Sequence, residues 1–383
     1  MVSERYDAVV VGLGALGSAA AWQLARRGLS VLGLEQFELG HARGASHDTS
    51  RILRHSYHTA EYVRLTQEAY ADWADLSAAA GRDLVTVVGG LDLFPTDPAI
   101  PMIDYTDALT EVGVPFELLS VEEIEARWPQ FRLPEGTVGL FQERGAIVPA
   151  GPGTAAMQEL AGRHGAVLRD RASVTAVTGT SVTLADGSTV ECGAVVLCAD
   201  AWTNRLLAPL GHELPLTVTL EQATYFAPER PEEFAPDRMP LWIWMDEPSF
   251  YGFPCYGEPT IKAAQDCGGP AVDPDARGTE PDEAMLDLLA GHVARTLPGS
   301  GRPVRSLRCQ YTLTPDRDFV IDRVPGHPSL VVGLGAGHGF KFAPTFGRLL
   351  AELVVDPGKA ASPTFALDRP ALTDPTYAAH WLV

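Results

Sequence analysis

Apolar residues along this chain follow two rhythms. Ala8–Val11 is a short unbroken apolar run rich in β-branched residues, the mark of a strand buried on both faces of a parallel sheet. Ser18–Arg27 follows with helix-forming composition, Gly28 closes it, and Ser30–Leu34 predicts a second strand. Glu61–Ala80 has amphipathic helical spacing, and Asp83–Phe94 alternates toward strand. Tyr105–Gly113 predicts a helix. Ser120–Pro129 predicts a short one, with Ser120 as N-cap and Glu123 completing a capping box. Pro149–His164 is a further helix. Ala172–Thr203 predicts three strands with a turn at Asp186–Gly187, the last being the buried run Ala194–Ala199. Leu214–Gly268 is strand-rich, and Ser306–Asp316 reads as a strand. Leu330–Val332 predicts a strand, Gly333–Pro344 is a glycine cluster, and Thr345–Val355 predicts the last helix.

A strand–helix pattern thus stands at both ends and in the middle, with β-rich stretches between. That order predicts an α/β chain in which a discontinuous, Rossmann-like nucleotide-binding domain is interleaved with a second domain built on an antiparallel or mixed sheet. Residues 1–84, 147–213 and 316–383 are assigned to the first domain, 85–146 and 214–315 to the second. At 383 residues the chain exceeds one ordinary core. A net charge of −20 disfavours nucleic acid and anionic membranes as partners. No run of about 18 apolar residues occurs, and Met1–Tyr6 shows no leader pattern, so the expectation is a cytoplasmic protein. Five cysteines form no CxxC pair, which argues against a disulfide scaffold or a metal site.

The candidate chemistry begins at Gly12, Gly14 and Gly17, in GxGxxG spacing between the first strand and its helix. The glycines permit a tight turn, close approach to a pyrophosphate and close helix–strand packing, while the helix N-terminus supplies N–H donors. Glu35, 18 residues after Gly17, ends the second strand where a carboxylate accepts ribose hydroxyls. The motif alone does not separate NAD from FAD. Next comes "GHARGASHDTSRILRH", Gly40–His55, whose His41, Arg43, His47, Arg51, Arg54 and His55 suggest anion binding.

Four stretches together resemble the monomeric sarcosine oxidase and N-methyl-L-tryptophan oxidase family, FAD-dependent amine oxidases of the D-amino-acid oxidase superfamily. They are the GxGxxG-to-Glu35 unit, "RILRHSY" at Arg51–Tyr57, "YGFP…IK" at Tyr251–Lys262, and "CQYTLTPDRDFVID" with "GHGFKF" at Cys309–Asp322 and Gly337–Phe342. The resemblance spans nearly the whole chain and implies FAD. It implies that Cys309, in its C-x-Y-T setting, carries the flavin covalently, with cations such as Arg308 favouring the thiolate. Arg54 matches the arginine that pairs with a substrate carboxylate, and Lys341 the lysine that meets the same carboxylate and the flavin. Lys262 matches the lysine that speeds reaction with oxygen. Tyr251 and Tyr311 match pocket tyrosines. Gln36, Ser46, His47, Arg51, Val174, Gly337, His338, Gly339 and Phe340 complete the implied cofactor set.

Two positions depart from the family pattern. Asp266 stands four residues after Lys262 where the family has histidine. A carboxylate there would favour a substrate with an extra cation, or a proton-transfer role. Asp200 replaces a glycine after "CA". The expected activity is oxidation of a secondary amino acid by hydride transfer to flavin N5, with O2 reduced to H2O2, in a monomer. A cyclic imino acid of the piperideine-2-carboxylate or pipecolate type is the alternative substrate. A flavin dehydrogenase with another acceptor, a NAD-dependent dehydrogenase and a non-catalytic flavin-binding subunit are the competing classes.

Overall fold

The computed structural model describes residues 5–382. Met1–Glu4 and Val383, which fall within the expected 1–84 and 316–383 segments and partly under the leader reading, lie outside the described residues. The first sheet runs Val174–Val177, Ser181–Leu184, Thr189–Leu197, Arg5–Val11, Val31–Leu34, Val167–Arg169. Arg5–Val11 is parallel to both Val31–Leu34 and Thr189–Leu197. The expected strand Ala194–Ala199 is only the second half of Thr189–Leu197. Its first half pairs antiparallel with Ser181–Leu184, and its second half pairs parallel with His327–Leu334. One strand therefore belongs both to a hairpin and to the parallel core.

The helix Ala15–Ala25 is apolar nearly all round and accordingly buried. It packs between Ala150–Arg163 and Ala343–Val355. Close approach requires bare backbone: a Cβ on Gly347 would stand 2.4 Å from the Ala19 Cβ.

A second sheet of eight strands runs Arg302–Leu313, Thr217–Ala227, Ile261–Gln265, Phe250–Phe253, Leu241–Trp244, Gly90–Phe94, Val138–Gln142, Glu117–Leu119. All neighbours are antiparallel except Leu241–Trp244 beside Gly90–Phe94. A small antiparallel sheet joins Arg51–Leu53, Ala146–Val148 and Thr86–Val87. The α/β architecture is as expected: a Rossmann-like layer interleaved with a mixed sheet. The capping box forms in Val121–Arg127, with Ser120 N accepted by Glu123 and Glu123 N by Ser120. The helix Glu283–Thr296 was not expected; its buried face includes His292 and Thr296, which blur the apolar period. Among the described residues no helix is long and apolar enough to cross a membrane.

Candidate active site

A single cavity runs from the glycine loop, between the two large sheets, to the turn Gly339–Phe342. At its glycine-loop end Gly12 adopts φ +89°, and a Cβ there would stand 2.3 Å from the Cys198 carbonyl oxygen. Gly14 caps the helix. Gly17 does not line the cavity: a Cβ on it would lie 1.8 Å from the Gly12 carbonyl, so it packs helix against loop. Glu35 accepts N–H bonds from Leu13 at 2.9 Å and Phe37 at 3.1 Å. Burial pushes its carboxyl up, but hydrogen bonds from His41, Leu13 and Phe37 outweigh that and hold it below the usual range. Ser46 Oγ accepts the Ala15 N–H at 2.9 Å, at the helix start. Gln36 and Val174 line the same end. Of the charged run, His41, His47, Arg51 and Arg54 line the cavity, whereas Arg43 covers the Phe37 ring and His55 bonds Thr66.

In the middle, Cys309 and Tyr311 share one face of the strand Arg302–Leu313, as its period of two dictates. That period corrects one expectation. Arg308 points to the opposite face and donates to Leu220 O at 2.9 Å. Burial raises the Cys309 thiol, opposed first by Arg51 and then by Lys262. Arg51 donates to the carbonyls of Ser50, Ala45 and His47 and covers the Phe340 ring. Burial, then Arg51, brings His47 down to about 4, so it is neutral near pH 7. Lys262 Nζ meets the Asp48 carboxylate at 2.5 Å.

At the far end, Arg54 Nη1 pairs with Asp92 Oδ1 at 2.7 Å, and Ser56 donates to the other Asp92 oxygen. Lys341 Nζ donates to the Tyr57 hydroxyl at 2.9 Å and the His338 carbonyl at 3.1 Å. His338 Nε2 contacts Arg317 O at 2.9 Å. A Cβ on Gly337, at φ +80°, would lie 2.9 Å from the Tyr311 ring. Burial raises the hydroxyls of Tyr251 and Tyr311. Asp266 lines the cavity, and both its oxygens accept from Arg317 at 2.8 Å. Three cations, Arg54, Arg317 and Lys341, therefore face two acids, Asp92 and Asp266. Burial, then Arg54 and Arg317, drives the Lys341 ammonium well below its ordinary range, a cost that an anionic ligand would relieve.

Asp48, Asp92, Arg317 and Tyr57 are the residues that sequence reasoning missed. Asp200 takes φ 45°, a region that Asp tolerates better than most residues. Polar atoms of His47 and Arg317 are buried on the cavity lining without partners, and Asp200, Thr312 and Gln310 form a polar cluster beside them, the condition of a wall built for a polar ligand. With the glycine loop, helix N-terminus and Glu35, this donor set fits a dinucleotide at one end and its redox ring near Cys309 and Lys262. Among the described residues no group of three His, Cys, Asp or Glu could hold a metal ion.

A family profile described as FAD dependent oxidoreductase matches residues 7–353. A monomeric sarcosine oxidase of Streptomyces avermitilis is 34% identical over 380 residues, covering 96% of this chain and 98% of that protein. Human peroxisomal sarcosine oxidase is 34% identical, covering 91% and 92%. A solved structure of NikD, an unusual amino acid oxidase essential for nikkomycin biosynthesis, has a TM-score of 0.84 at 32% identity, covering 95% and 98%.

Proposed function

The chain belongs to the FAD-dependent oxidoreductase family, and from that premise we propose that it is an oxidase of a secondary amino acid, N-methylated or cyclic. The observation that carries the reading is the continuity of one cavity from a dinucleotide cradle, past Cys309 and Lys262, to three basic side chains, Arg54, Arg317 and Lys341, that face only two acids. A substrate carboxylate would bind Lys341 and Arg54, restoring the ammonium that burial disfavours. That contact fixes which carbon faces the reactive ring, so the chain's main contribution is orientation. Tyr251 and Tyr311, which line the cavity, would wall the substrate from water. Among the cavity groups, His47 is neutral, the Asp200 carboxyl is hydrogen-bonded by Thr312 and Gln310, and Asp266 is held by Arg317. Selection of the neutral amine therefore replaces proton abstraction.

FAD, when bound, would take a hydride from the C–H bond and pass its two electrons to O2, which with two protons would leave as H2O2. Cys309 would tether it through a thioether. Gln36, Ser46, His47, Arg51, Val174 and the Gly337–Phe340 turn would hold it. Lys262 would stabilise the negative charge that oxygen acquires. The imine left on the substrate hydrolyses, or is retained if cyclic. We further propose a cytoplasmic monomer. A cyclic imino acid of the piperideine-2-carboxylate or pipecolate type is the second reading.

The test is the visible spectrum of the purified protein under anaerobic conditions, with sarcosine, other N-methyl amino acids, proline, pipecolate and piperideine-2-carboxylate. Bleaching by N-methyl amino acids supports a demethylating oxidase. Bleaching by cyclic compounds alone moves the assignment to the second reading. A preparation that no member bleaches refutes both.

A further inference from the structure

Lys262 has a partner that the proposed chemistry does not use. Its Nζ stands 2.5 Å from Asp48 Oδ2, with the two side chains only 5% and 6% exposed. The other oxygen of Asp48 accepts the Tyr225 hydroxyl, which also contacts Thr49 Oγ1 at 2.9 Å. The Tyr225 ring is held under the Arg305 guanidinium, 3.7 Å from its centroid. Lys262 Nζ donates further to Ser50 O at 3.1 Å and Ser50 Oγ at 3.4 Å. Asp48 makes this contact at φ 82°, a left-handed conformation that costs a non-glycine residue energy. A strained residue locked by a buried ion pair and a phenol is fixed in its aim.

We propose that Asp48 is the counterion that sets the oxygen reactivity of Lys262. The proposal rests on the oxidase reading above. Dioxygen gains negative charge with its first electron, before protons arrive, and a bare ammonium would stabilise that charge most. An ammonium paired with Asp48 presents a dipole instead, and the stabilisation falls more steeply with distance. Asp48 thus restrains the oxygen step while keeping the lysine charged.

The surrounding groups fix the sign of the pH dependence. Arg51, on the strand Arg51–Leu53, and the loop residues His47 and Asp48 face the lysine from one side. Cys309 faces it from the strand Arg302–Leu313, and Tyr225 lies across in register on Thr217–Ala227. Arg305, beyond Tyr225, is balanced by Glu258, and Arg277 acts on His47. Burial, then Arg51, lowers Lys262 to about 8, and Asp48 pulls the other way. Removing the Asp48 charge therefore moves the lysine's titration further toward acid. Below that new midpoint the ammonium is uncompensated; above it the charge is gone sooner than in the parent.

The experiment compares the holoenzymes of the parent, Asp48→Asn, Asp48→Gly and Lys262→Met. Asparagine and glycine both accept φ 82°, so either variant keeps the loop. Two readouts are taken: stopped-flow reoxidation of the reduced enzyme against pH, and chloride affinity of the resting oxidised enzyme, read from its visible spectrum. Below the lowered midpoint of the lysine, both Asp48 variants should reoxidise about tenfold faster and bind chloride about tenfold tighter, and both should lose the lysine's contribution at a lower pH than the parent does. Lys262→Met should slow reoxidation and abolish chloride binding. A slow Lys262→Met beside Asp48 variants with parent rates and parent chloride affinity overturns this proposal alone. A Lys262→Met that reoxidises like the parent overturns the oxygen role of Lys262, and this proposal with it.

Discussion

Replacing Asp92 with asparagine isolates the charge that holds Arg54. The two side chains stand 2.7 Å apart and are 8% and 3% exposed. At an effective dielectric of about 20 their attraction is about 6 kcal/mol, and losing one member of such a buried pair costs about 3–5 kcal/mol net. Asparagine keeps the shape and an acceptor for the Arg54 Nη1 donor, so the loss is electrostatic rather than steric. Unfolding entropy near 2.1 cal/mol/K per residue gives roughly 0.8 kcal/mol/K for a chain of this length. The expected fall in Tm is therefore about 4–6 °C. The freed arginine should also bind a small carboxylate more tightly. A ligand at about one hundred times its Kd stabilises by about 2.7 kcal/mol, or roughly 3 °C here. The assay is thermal unfolding of the parent and Asp92→Asn holoenzymes, each with and without acetate. Asp92→Asn should lose several degrees and regain over half of them in acetate, while the parent gains less. A fall under about 1 °C, or equal acetate shifts in both proteins, would refute the claim that Asp92 and a ligand carboxylate share Arg54.

Two further outcomes follow from the cavity. Cys309→Ala should release all its flavin into the supernatant on acid precipitation, whereas the parent pellet stays yellow; equal release from both would remove the tether. Gly17→Ala would drive a Cβ to 1.8 Å from the Gly12 carbonyl. Overpacking of that kind costs about 1–3 kcal/mol, and it should yield protein with reduced flavin content and a lower Tm. Normal flavin content would mean that the loop can move without losing its cradle.

The parts of the site that were legible in the sequence are those built from neighbouring residues. The glycine turn, its helix and Glu35 lie within one strand–helix–strand unit, and the capping box at Ser120 and Glu123 within one turn. Cys309, Lys262 and Lys341 were reached through motifs. The charge balance was not legible, because each ion pair joins distant segments. Asp48 meets Lys262 across 214 positions and Asp266 meets Arg317 across 51. A carboxylate read alone at Asp266 suggests a cationic substrate; with Arg317 against it, that suggestion disappears. Strand alternation could have flagged Arg308, since side chains next to each other on a strand leave opposite faces, and Arg308 turns to the Leu220 carbonyl. Arg317, at φ 61° in the turn after Arg302–Leu313, carries no periodic signal at all.

The helix Ala15–Ala25 sets an order of events during synthesis. It precedes both of its tight neighbours, Ala150–Arg163 and Ala343–Val355, by more than a hundred residues. The strand before it waits for Thr189–Leu197, which in turn waits for His327–Leu334. Contacts of such long sequence separation close late. The emerging chain therefore carries an apolar helix and unpaired strand edges until residue 355 has left the ribosome. The cavity, lined from Val11 to Lys341, is complete only once all of those segments have been made.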